Sequence, residues 1–180
     1  MINNKTNRSD RFTLSLDEIK KTPGYPSEER FKKGPVVIVE CVEEIPCNPC
    51  ETICSKNSIV VGKPITNLPS LVDPESCNGC GNCVVRCPGL AIFVVDKTFS
   101  EKDAAISIPY ELLPLPEINE KIQALNRNGE FVCDGMVHKI RSAKSLNHTN
   151  VVTIIVPKEF SNEVRFFKLF IHVHDIDLLL

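Results

Sequence analysis

The sequence predicts an α+β protein: a cysteine-rich unit of short helices and strands, followed by a small all-β, barrel-like unit. Three observations support this. Of nine cysteines, eight fall between Cys41 and Cys87. That region repeats internally, each half being a cysteine run followed by a short β-branched stretch. Beyond Phe99 only Cys133 remains, and short apolar stretches separated by turn residues replace any long helical periodicity. The expected divisions are an N-terminal arm over 1–34, the cysteine-rich unit over 35–98, the β unit over 99–170 and a tail over 171–180.

In the arm, Ser15 followed by Glu18 has capping-box spacing and predicts a short helix, ended by Thr22-Pro23-Gly24. Ser27 is expected to cap a second turn over 28–33, closed by Gly34-Pro35. Leu14, Leu16, Ile19 and Phe31 offer too little apolar surface for an independent unit, so the arm should lie across the rest. Residues 36–40 read as a strand entering the first cysteine run, with 58–61 and 91–95 following the two runs. Further strands are expected at 104–109, 121–125, 130–140, 151–156 and 164–169, with Asn128-Gly129 as a hairpin turn. The proline-rich stretch 109–116 should run extended along a surface, since closely spaced prolines oppose a helix.

Composition limits the partners. A hydrophobic fraction of 42% and a charged fraction of 24% are ordinary for a globular protein. A net charge of -2 argues against a nucleic-acid footprint. No apolar run approaches the roughly 18 residues of a membrane-spanning helix. The first ten residues are polar and lack the apolar core of a secretory signal, so a cytoplasmic location is expected. Thiols stay reduced there, and eight cysteines packed into two short runs point to metal rather than to disulfides.

The second run, Cys77-x2-Cys80-x2-Cys83-x3-Cys87-Pro88, has the ligand spacing of bacterial two-cluster ferredoxins. Tight turns let the first three cysteines wrap one face of a 4Fe-4S cubane, and Gly79 and Gly81 let backbone approach it. The fourth cysteine of such a run ligates the neighbouring cluster. The first run, Cys41-x5-Cys47-x2-Cys50-x3-Cys54, keeps the last two spacings but has a longer first gap, and Ser55 stands where the proline is expected. Crossed ligation therefore predicts one cluster on Cys41, Cys47, Cys50 and Cys87, and the other on Cys54, Cys77, Cys80 and Cys83. The alternative is structural zinc, which prefers paired Cys-x2-Cys or mixed Cys and His sets, whereas no histidine lies between Cys41 and Cys87. Between Val36 and Thr98 there are four basic and seven acidic residues, a balance that pushes cluster potentials downward.

Glu40-Cys41-Val42-Glu43-Glu44-Ile45-Pro46-Cys47-Asn48-Pro49-Cys50-Glu51, Cys77-Asn78-Gly79-Cys80-Gly81-Asn82-Cys83, the stretch from Cys87-Pro88-Gly89 to Asp96, and Pro109-Tyr110-Glu111-Leu112-Leu113-Pro114-Leu115-Pro116 carry a resemblance. Over about 24–169 the chain resembles the ferredoxin-like 4Fe-4S subunit of multisubunit FAD-dependent amino-acid dehydrogenases. That group includes opine oxidases, hydrogen cyanide synthase and proline or D-hydroxyproline dehydrogenases. The resemblance implies two clusters on this chain, FAD on partner subunits, a further small iron–sulfur subunit among the partners, and Cys41 as a ligand. The chain departs from the family at Cys54-Ser55-Lys56-Asn57, where Cys-Pro is expected.

Outside the runs, Cys133 reads as a buried free thiol in a strand. His172 and His174, near Asp175 and Asp177, read as a surface tail, with a second metal site as the alternative. His138 and His148 have no companions, and Leu178-Leu179-Leu180 suits either docking or a frayed end. No catalytic site of the chain's own is evident. The expected role is an electron-transfer subunit fixed in a flavoenzyme complex. The alternatives are a free diffusible two-cluster ferredoxin and a subunit whose clusters are only structural.

Overall fold

A computed structural model describes residues 14–142 and 149–170. The expectations for His148, His172, His174 and the tail lie outside these residues. The arm forms two one-turn helices, α1 (Leu16–Ile19) and α2 (Glu28–Phe31). At α1 the Ser15 hydroxyl accepts from the Glu18 amide and the Glu18 carboxylate accepts from the Ser15 amide. At α2 the Ser27 hydroxyl accepts from the Arg30 amide at 3.2 Å. The arm is tied down by backbone as well: the Val39 amide donates to the Gly24 carbonyl at 3.0 Å, and that of Leu71 to the Pro23 carbonyl at 2.9 Å.

The cysteine-rich stretch contains β1 (Val36–Val39), α3 (Pro49–Ile53), β2 (Ile59–Val60), β3 (Ser70–Leu71), α4 (Asn82–Arg86) and β4 (Ile92–Asp96). It is followed by β5 (Asp103–Tyr110), β6 (Lys121–Leu125), β7 (Phe131–Arg141), β8 (Asn150–Pro157) and β9 (Phe166–Leu169). Strands β2 and β3 form a small antiparallel pair. The other seven form one antiparallel sheet in the order β1-β4-β5-β8-β7-β6-β9. The expected boundary at 98/99 falls in the turn between β4 and β5, and pairing continues across it from Val94↔Ser107 to Asp96↔Ala105.

Strands β1 and β4 explain how one sheet serves two cores. Side chains alternate faces along a strand. Val36, Ile38, Phe93 and Val95 enter the main core with Ile106, Ile108, Ile122, Ile154 and Phe167. Val37, Val39, Ile92 and Val94 enter a second core with Cys50, Cys83, Val84 and Val85. Both faces of β1 are therefore buried, which is why it reads Val-Val-Ile-Val with no polar alternation.

Several edges differ from expectation. The last strand begins at Phe166 rather than at residue 164, because Lys158–Phe160 form a 3-10 turn and the Val164 amide bonds back to Phe160. Pro109 lies inside β5 opposite Val151 of β8. Pairing with β4 stops at Ser107, so the missing N–H falls where β4 no longer reaches. The extended run expected over 109–116 is thus strand up to Tyr110. Leu112 and Leu113 are then exposed and the Tyr110 hydroxyl donates to the Pro114 carbonyl.

Candidate metal centre

The two cysteine runs fold alike. Each passes through a five-residue helix, α3 or α4, with the third cysteine inside it and the fourth, Cys54 or Cys87, at its C-terminal cap. After the cap the backbone turns in the same way. The Asn57 amide donates to the Cys54 carbonyl at 3.0 Å and the Leu90 amide to that of Cys87 at 3.2 Å, with φ of 52° at both Asn57 and Leu90. One residue further, the Ser58 amide donates to the Cys54 Sγ at 3.3 Å and the Ala91 amide to the Cys87 Sγ at 3.4 Å. Ser55 in place of the expected proline therefore leaves the turn unchanged.

Helices α3 and α4 pack together, and the fourth cysteine of each run meets the other run. One small cavity is lined by Cys41, Cys47, Cys50 and Cys87 with Val39, Glu43 and Ile92. A second is lined by Cys54, Cys77, Cys80 and Cys83 with Val37, Lys56 and Val94. Each cavity is thus lined by three cysteines of one run and one of the other. All nine are free thiols, with Cys50 and Cys83 buried and Cys80 exposed.

Electrostatics follow the same grouping. Burial pushes the Cys50 thiol up to about 11, with Cys87 and Cys47 as its charged neighbours. Burial pushes Cys83 up to about 12, and the neighbours that add to this are Cys77, Cys80 and Cys54. Burial also raises Cys41. At Cys54 burial acts upward, but the amides of Ser58, Lys56 and Ile59 outweigh it and hold the thiol below its usual value. Four thiolates brought together at such a site would repel one another, and a cationic centre compensates that charge.

Two glycines give the backbone its approach to the second cavity. Gly79 has φ of 66°, and a Cβ there would stand 2.6 Å from the Pro35 Cβ and 3.1 Å from Val94 Cγ1. Gly81 has φ of 73° as the N-cap of α4, a left-handed conformation that suits glycine. Soft thiolate donors, four to a cavity, with amides turned onto sulfur, fit an iron–sulfur cluster.

Residues 71–93 match the family model described as a 4Fe-4S binding domain. The chain therefore carries a 4Fe-4S binding domain over these residues. The matched residues include Cys77, Cys80, Cys83 and Cys87 and end in β4; the first run lies outside them. An iron–sulfur electron-transfer role follows from that domain. No curated protein and no solved structure matches the chain. No helix among the described residues is long and apolar enough to cross a membrane.

Contacts from four arginines at the runs have no signature in the spacing. Arg30 of α2 donates to the carbonyl of Cys77, and Arg141 of β7 donates to those of Cys80 and Gly81. Glu40, the residue before Cys41, is gripped by Arg127 and Arg165. Cys133 is buried in β7 within the main core, as expected of a free structural thiol. His138 stands edge-on to Phe99, 5.2 Å between ring centroids.

Proposed function

We propose that the chain holds two 4Fe-4S clusters, on Cys41, Cys47, Cys50 and Cys87 and on Cys54, Cys77, Cys80 and Cys83, and serves as an electron-transfer subunit of an FAD-dependent amino-acid dehydrogenase complex. The observation that carries the first part is the gathering of eight cysteines into two four-thiol cavities, each completed by a cysteine from the opposite run. A lone structural zinc would draw its sulfurs to within roughly 4 Å of one another, from a Zn–S bond of about 2.3 Å. Among the described residues no three His, Cys, Asp or Glu side chains are gathered closely enough to hold a single ion.

When bound, a cubane ligated by four thiolates supplies one-electron transfer, having no iron position open to substrate. The chain's own part is to exclude water and fix the potential. Val37, Val39, Ile92 and Val94 wall the cavities with aliphatic surface, and the Ser58 and Ala91 amides hold the two crossing sulfurs. Membership of a larger complex is supported by apolar side chains exposed on the part without cluster ligands: Leu112, Leu113, Ile118 and Phe131. The sequence resemblance to flavoenzyme subunits supplies the identity of those partners.

The test is anaerobic purification of the native protein with iron and acid-labile sulfide assays, low-temperature paramagnetic resonance, and identification of whatever co-purifies. Eight irons per chain, two interacting cubane signals and a flavoprotein partner are expected. Zinc or four irons would overturn the two-cluster assignment. A native monomer beside a fully active flavoenzyme would overturn the complex.

A further inference from the structure

The two cavities differ in the charges the chain places beside them. At the first site Glu43 lines the cavity and Glu51 follows Cys50 on α3, with Arg86 beside Cys87 at the end of α4 as the cation nearest in sequence to one of its ligands. Glu40 precedes Cys41, but its charge is taken up by Arg127 and Arg165. At the second site the acidic groups before Cys77 are engaged, Glu75 by Lys33 at 3.0 Å and Asp73 by the Ser76 hydroxyl, and cations stand closer to the ligands. Lys56 lines the cavity. Two guanidiniums reach its ligand loop from outside the repeat.

Arg30 is 4% exposed and its bonds go to backbone carbonyls: Nε to Pro74 at 2.6 Å, Nη1 to Gly34 at 3.1 Å, and Nη2 to Pro35 at 3.0 Å and Cys77 at 2.5 Å. Arg141 lays Nη1 on the Cys80 carbonyl at 2.7 Å and Nη2 on the Gly81 carbonyl at 3.0 Å. Its Nε is buried without an acceptor. Among the described residues neither arginine has a carboxylate within ion-pair distance. A guanidinium remains charged at any working pH. A positive charge near a cluster favours adding an electron, a negative one disfavours it.

We infer that Arg30 and Arg141 are positioning residues that make the Cys54/Cys77/Cys80/Cys83 site the higher-potential of the two, so that an electron on the chain rests there, beneath the exposed Cys80. This rests on the two-cluster reading. It adds a direction that the crossed cysteine pattern, being nearly symmetric, does not contain. Arg141 is the better probe, since it lies at the far end of β7 and is not part of either run.

The experiment is a potentiometric titration of the iron-loaded protein, followed by paramagnetic resonance, on wild type, Arg141→Gln, Arg141→Lys and Asn82→Asp. Asn82 is exposed at the start of α4, and its aspartate isostere adds a negative charge at the same site. Eight irons per chain and two one-electron waves in wild type meet the underlying reading; their absence defeats that reading and not the charge argument. With both waves present, Arg141→Gln should lower only the upper wave, by about tenfold in the reduced-to-oxidised ratio, which is 59 mV for one electron. Arg141→Lys should keep most of the wild-type value. Asn82→Asp should lower the same upper wave, and it decides the question if Arg141→Gln fails to load iron. A shift of the lower wave, equal shifts of both waves, or no shift in either charge variant would overturn the inference.

Discussion

Glu40→Gln is the substitution whose outcome the structure specifies most sharply. The Glu40 side chain is 7% exposed and receives the Arg127 Nε at 2.7 Å and the Arg165 Nε at 2.6 Å, while those arginines are 12% and 3% exposed. Burial alone would raise this carboxyl, but Arg165 and Arg127 outweigh it and hold it below the usual carboxylate range. The glutamine isostere leaves no cavity. It leaves two buried guanidiniums facing a neutral amide, and the Arg165 Nη2 already lacks an acceptor. Removing one partner from a buried ion pair costs about 3–5 kcal/mol. For a chain of this size each kcal/mol lowers Tm by about 2–4 °C, so a drop of roughly 6–20 °C is expected. Thermal unfolding of the iron-loaded protein under anaerobic conditions, followed by far-ultraviolet circular dichroism, reads it. The pH dependence carries its own sign. A depressed carboxyl stabilises the fold above its unfolded pKa and loses that contribution as pH falls through its folded value. The gap between wild type and variant should therefore be full above the ordinary carboxylate range, begin to narrow as pH falls into it, and close only below it. A variant within about 1 kcal/mol of wild type at neutral pH would refute the account, as would a gap already closed at mildly acid pH.

Three further outcomes are expected. Cys87→Ser and Cys47→Ser should leave the same surviving paramagnetic signal, and Cys54→Ser should match Cys77→Ser; if instead Cys87→Ser matches Cys77→Ser, the crossing is wrong. Gly79→Ala should destabilise the protein by about 1–3 kcal/mol in urea unfolding and lower its iron content, because the new Cβ meets Pro35 at 2.6 Å in a left-handed conformation. Wild-type stability in that variant would contradict the close approach. Cys133, pushed up to about 11 by burial with Asp134 adding to it, should resist alkylation in the folded protein at neutral pH, and Cys133→Ala should keep full iron; loss of iron would make it a ligand.

The sequence revealed what is local. The Ser15–Glu18 capping box, the Asn128-Gly129 turn and most strand centres depend on neighbours within a few positions, and the structure places them where those signals lie. The second cysteine run was legible for a different reason: its short, fixed spacing marks a cluster-binding segment, and residues 71–93 match the 4Fe-4S binding domain. The sheet that crosses residue 98 was not legible. The alternate faces of β1 serve two cores, and a strand buried on both sides shows no period of two. The arginine contacts were equally hidden. Arg30 meets Cys77 across 47 residues, Arg141 meets Cys80 across 61, and Arg165 meets Glu40 across 125. Nothing near either partner announces such a pairing.

The way the arm is fastened bears on how this protein tolerates shortening. Residues 23–24 occupy backbone positions beside β1 and β3 that would otherwise be a bare strand margin, and Arg30 supplies four carbonyls with their donor. A chain trimmed past residue 34 would present that margin to any passing strand and leave the Pro74 and Cys77 carbonyls without the Arg30 donor. Recombinant versions begun at residue 35 should therefore self-associate before iron is ever supplied.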